Sequence, residues 1–232
     1  MMDSEHQAQL RDSMVLEMAS GTLDPVRSLM LMTQMSICRK THAKVRLAES
    51  IGGVLMERHC DPCEMTENSL EKVLLRIDQE TELADEPSCA SHENTATACR
   101  MEKAKDEAAN FPDPLRRYIV SQNRPVKWSR LGKGVKFAHI SGVAKGPQLY
   151  VMDVAPGVKT PEHTHEGNEY TLVIQGAYED VTGVYKRGDL VITDDSVVHE
   201  PVADPETGCV CVVVTDMPIR FTRGPLRFFN LF

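Results

Sequence analysis

Halfway along this chain the spacing of apolar residues changes from the period of a helix to the period of a strand. Before about residue 80, apolar positions recur at three- and four-residue intervals. Leu10, Met14, Leu16 and Met18 run up to Gly21, a C-cap residue type. Asp24-Pro25 then reads as an N-cap followed by proline in the first helical turn. Leu29, Met32 and Met35 follow with Leu31 and Ile37. A third helix is expected from about Lys40 to Met56 with Val45, Leu47, Ile51 and Leu55, and a fourth from Ser69 to Glu80 with Leu70, Val73, Leu74 and Ile77. Each stripe is expected to face a core. After Lys127 the period is two: Val135–His139, Leu149–Asp153, Tyr170–Gln175, Asp189–Thr193 and Val210–Val214 are short strands between Gly, Pro and Asp turns.

Helices first and strands second imply α + β architecture in two domains, not an alternating α/β sheet. The expected boundaries are a helical bundle over 1–80, an acidic linker over 81–110 that is too polar to offset its conformational entropy, and a β-barrel over 111–232. A net charge of −8 offers no cationic surface for nucleic acid. No apolar run approaches the roughly 20 residues of a bilayer span. The polar start Met-Met-Asp-Ser-Glu-His is no secretory signal, so a cytoplasmic chain with reduced thiols is expected.

The chemistry concentrates between Gly157 and Gly176, where His163, His165 and Glu169 fall in the pattern G-x5-H-x-H-x3-E-x6-G. Residues i and i+2 of a strand share a face, so two imidazoles can aim at one point, and Gly167-Asn168 can turn Glu169 back toward it. His199, at the end of G-D-L-V-I-T-D-D-S-V-V-H, offers a fourth ligand. These two segments resemble the two motifs of the cupin fold, a double-stranded β-helix or jelly-roll barrel. The second departs from its pattern, with Asp194 where proline is usual and Ser196 where glycine is usual. Imidazole with carboxylate suits one divalent ion, zinc first, with iron, manganese and nickel as alternatives.

Both halves resemble the ChrR family of anti-sigma factors. The likeness rests on Ala19–Leu23, Ala48–Glu57, Phe111–Tyr118, Gly188–Asp204 and Cys209–Phe221. It implies a helical domain that sequesters an extracytoplasmic-function sigma factor, followed by a cupin that senses a cue, typically oxidative. It also implies an N-terminal zinc site, yet Gln34 stands at that motif's histidine and Thr41 at its second cysteine, so the usual site is absent. Cys38 and His42, one helical turn apart, together with His59, Cys60 and Cys63, are the candidates for a substitute metal site. Cys209 and Cys211 share a strand face and are candidate redox thiols if exposed and ionised; Cys89 and Cys99 lie in the acidic linker. Two other functions fit the cupin motifs: a metalloenzyme such as a dioxygenase, and a binder of small ligands without chemistry. A homodimer through the cupin is a further expectation.

Overall fold

The computed structural model describes residues 4–61, 63–85, 103, 105–123, 125–142 and 146–223. Cys89 and Cys99 therefore lie outside the described residues. Among the described residues, five helices and ten strands are assigned bounds. The helices are α1 (Ser4–Ser20), α2 (Pro25–Ile37), α3 (Arg39–His59), α4 (Ser69–Asp85) and α5 (Asp113–Ser121). The strands are β1 (Trp128–Arg130), β2 (Val135–Gly142), β3 (Gln148–Val154), β4 (His163–His165), β5 (Glu169–Asp180), β6 (Gly183–Lys186), β7 (Leu190–Thr193), β8 (Val202–Ala203), β9 (Cys209–Thr215) and β10 (Ile219–Phe221).

The cap residues act as expected. Asp24 accepts from Val26 N and Arg27 N at 3.0 and 3.1 Å, and Pro25 opens α2. Helix α5 was not foreseen; Pro114 stands in its first turn, and Leu115 and Ile119 are buried. Helix α4 ends at Asp85, beyond the expected domain edge at 80. Ala108 is buried and Glu107 accepts from Val126 N at 2.6 Å, so packed structure begins before residue 110, where the acidic stretch was expected to end.

All pairings among the strands are antiparallel. The main path runs β1-β2-β3-β9-β5-β6, with β7 and β8 also on β5, while β10 pairs with β4. Alternation along β5 sorts its residues onto two faces. Val173 joins Val135, Val154, Cys211 and Val213 in the interior of the barrel. Tyr170, Leu172 and Ile174 face the other way and join Leu149, Val151, Val212 and Val214 in a second cluster. That cluster also contains Met14, Leu29, Met30, Leu31 and Val45 of α1–α3 and Leu115 of α5. The outer face of the sheet and the first three helices thus bury one continuous apolar layer.

Not every apolar stripe reaches that layer. On α3 only Val45 is buried, whereas Leu47, Ile51 and Leu55 are exposed. On α4, Leu70, Val73 and Leu74 are exposed as well. The expectation that these stripes face a core is corrected: α1–α3 pack on one another, and none of the described side chains of α4 joins either buried cluster.

Candidate metal centre

Strand alternation and one bridge assemble the site. His163 and His199 exchange both backbone hydrogen bonds, each at 3.1 Å, which sets their rings 4.5 Å apart. Glu169 enters from the start of β5, with its Oε2 3.9 Å from His163 Nε2 and its Oε1 3.8 Å from His199 Nε2. These separations are too long for hydrogen bonds and leave room for an ion between the donors. All three residues are buried, and their ligand atoms lie within 4.8 Å of one another.

Each imidazole is fixed through Nδ1. His163 donates to Pro161 O at 2.8 Å, His165 to Gly167 O at 3.0 Å, and His199 pairs with Asp180 Oδ2 at 2.8 Å. This tautomer leaves the Nε2 lone pairs for the cavity. His199 Nε2 is buried without a hydrogen-bond partner, an arrangement that a cation would complete. His165 is the exception, since its Nε2 lies 3.1 Å from Thr193 Oγ1, outside the cluster of the other three. Asp180 was missed by sequence reasoning. It lies 19 residues from His199 and meets it only through the barrel's curvature.

Burial and charge oppose each other here. Burial favours a neutral Glu169, but His163, His199 and His165 and the Thr171 hydroxyl outweigh it and hold the carboxyl below its usual range. His163 is lowered, chiefly by burial. Burial also disfavours a charged His199, yet the Asp180 hydrogen bond and the charges of Glu169 and Asp180 raise it.

The motif departures are repaired locally. Asp194 accepts from Ser196 N at 3.0 Å and Ser196 Oγ at 2.5 Å, so an Asx-type turn stands where proline and glycine are usual. Gly176 has φ +67°, and a Cβ there would come within 2.0 Å of Gly208 O.

Cys209 and Cys211 line the same cavity as His163, Glu169 and His199; its volume is about 40 Å³. Both thiols are buried. Cys211 is raised well above the usual thiol value by its hydrogen bond with Cys209, by burial, and by the charges around it. This is the opposite of the exposed, ionised surroundings that a redox thiol requires. The substitute N-terminal site is corrected too. Cys38 caps the start of α3 and Cys60 its end, 21 helical residues apart, which at 1.5 Å per residue is about 30 Å. Cys60 and Cys63 are exposed, and among the described residues only His163, Glu169 and His199 form a metal-type cluster. Gln34 is instead buried and donates to Gly188 O of the cupin at 3.0 Å.

Residues 116–217 match the family model described as the ChrR cupin-like domain. The anti-sigma-E factor ChrR of Cereibacter sphaeroides is 32% identical over 212 residues, 90% of each chain. The chain belongs to the ChrR family. The crystal structure of Rhodobacter sphaeroides SigE in complex with the anti-sigma ChrR covers 88% of this chain and 96% of that one, at 29% identity and a TM-score of 0.66. Membership of the ChrR family accounts for the order of parts, helices before cupin, and for the likeness extending across both.

Proposed function

We propose that this ChrR-family chain is an anti-sigma factor that sequesters an extracytoplasmic-function sigma factor, with its cupin as a metal-bound sensor. The exposed apolar stripes carry this reading. Leu47, Ile51 and Leu55 recur every four residues on α3, and Leu70, Val73 and Leu74 line α4. A monomeric soluble protein rarely exposes apolar surface on this scale without a partner for it. Helices that leave apolar faces open suit helix-in-groove recognition, and the related ChrR is known in complex with SigE. Helices α1–α4 would form the binding part and the β-barrel that follows the sensor. Among the described residues no helix is long and apolar enough to cross a membrane, and a cytoplasmic location suits the proposed partner.

In the cupin, His163, His165, Glu169 and His199 would hold the ion, His165 by releasing Thr193. Zinc is the ion we assign, because it has no redox chemistry of its own and accepts imidazole and carboxylate. When bound, it would supply a fixed positive charge joining the two ends of β4, the start of β5 and the bridge at His199. Protein groups do the rest: Asp180, Pro161 O and Gly167 O orient the imidazoles, and Val213, Met152 and Tyr178 shield the site. A cavity of about 40 Å³ holds a few waters. An oxidative cue would reach Cys209 and Cys211 only after the barrel loosens. Co-expression with each extracytoplasmic-function sigma factor of the source organism, followed by metal analysis, tests both parts. One-to-one co-purification and about one zinc per chain are expected; a chain that retains no sigma factor contradicts the reading.

A further inference from the structure

The two faces of β5 connect the metal site to the helices. Glu169 points into the barrel, and the next residue, Tyr170, points out to α2, where the Arg27 guanidinium lies 4.8 Å from its ring centroid. Asn168 precedes Glu169, and both of its backbone polar groups are held by Asp216 just after β9. Asp216 N donates to Asn168 O at 3.1 Å, and Asp216 Oδ2 accepts from Asn168 N at 3.0 Å. The other oxygen of the same carboxylate, Oδ1, accepts from Arg27 Nη2. Arg27 Nη1 in turn donates to Asp24 Oδ2 at 2.6 Å, and Asp24 is the N-cap of α2.

This carboxylate is closely packed. Gly167 has φ +77°, and a Cβ there would lie 3.0 Å from Asp216 Cβ. The ion pair is largely shielded, with side-chain exposures of 17% for Arg27 and 24% for Asp216. A carboxylate that serves two partners in a packed site cannot follow one of them without weakening the other. The far end of α2 has separate anchors: Gln34 donates to Gly188 O at 3.0 Å, and Arg11 of α1 donates to Leu190 O at 3.1 Å. No group of metal ligands ties the described helices together internally, so these contacts and the shared apolar layer hold them in place.

We propose that Asp216 is a positioning residue shared by the metal loop and the anti-sigma helices, so that loss of the ion at Glu169 loosens the N-terminal half of α2 from the cupin. The proposal rests on the reading of His163, Glu169 and His199 as metal ligands. It makes the state of the barrel readable at the helices without any movement of the whole domain. The Asn168-Glu169 junction is the input, the Asp216 carboxylate the connection, and the Asp24–Arg27 cap the output.

Hydrogen exchange on the full chain, zinc-loaded and then stripped with EDTA, tests it, with metal content measured on each sample. In the wild type, stripping is expected to speed exchange at least tenfold in both 166–170 and 26–31. In Asp216→Ala, residues 26–31 should exchange fast whether or not zinc is present. Arg27→Met leaves the Asn168 contacts intact, so it should keep one zinc per chain while residues 26–31 cease to respond to stripping. A wild type in which 166–170 respond and 26–31 do not overturns the proposal while leaving the metal site standing. A response at 26–31 that persists unchanged in Arg27→Met also overturns it. A chain that takes up no zinc overturns the metal reading and this proposal together, and the metal analysis identifies that case separately.

Discussion

At the scale of single residues, the site depends on groups that fix the ligands as much as on the ligands. Asp180 holds His199 through Nδ1, and loss of such a partner typically costs 10–100-fold in metal affinity. Asp180→Asn should therefore weaken zinc binding by about that factor in a competition titration. The pH profile separates this role from a merely structural one. Asp180 raises the His199 pKa, so its neutralisation lowers that pKa, and protons should compete with zinc only at more acidic pH. An unchanged profile would contradict the role. That His163, Glu169 and His199 come together could be read from sequence, because strand alternation and a turn bring their side chains to one point. Asp180 could not, since nothing local relates it to His199. Nor does spacing reveal that His165 Nε2 rests on Thr193.

At the scale of elements, the helical stripes were legible but their destinations were not. A 3.6-residue period shows that one face is apolar, not whether that face meets the chain's own core or a partner. Met30 is fully buried beneath α2, so Met30→Ala should cost about 2–5 kcal/mol in denaturant unfolding. Leu74 is 50% exposed; Leu74→Glu should change stability by no more than about 0.5 kcal/mol, while weakening sigma binding by tenfold or more. Equal losses of stability for the two variants would mean that α4 packs on the chain itself. Helix α5 escaped sequence reading because two prolines flank Asp113 and the helix is only nine residues long, with Leu115, Tyr118 and Ile119 on its packed face.

At the scale of the whole molecule, the order of parts was legible and their union was not. A change from helical to strand period marks two kinds of structure, but Leu29, Met30 and Leu31 of α2 share one buried layer with Tyr170, Leu172 and Ile174 of β5. A fragment of residues 1–85 loses that layer. It should melt without a cooperative transition by circular dichroism, whereas the full chain should unfold cooperatively; a well-folded fragment would show the helices to be independent of the cupin. In the proposed function, the open faces of α3 and α4 grip a sigma factor. Isothermal titration of the full chain with the sigma factor that co-purifies with it tests this most directly, comparing wild type with Leu55→Glu/Leu74→Glu. The predicted result is one-to-one binding that the double variant weakens at least a hundredfold with its melting temperature unchanged. Binding of the double variant at wild-type affinity would contradict the claim.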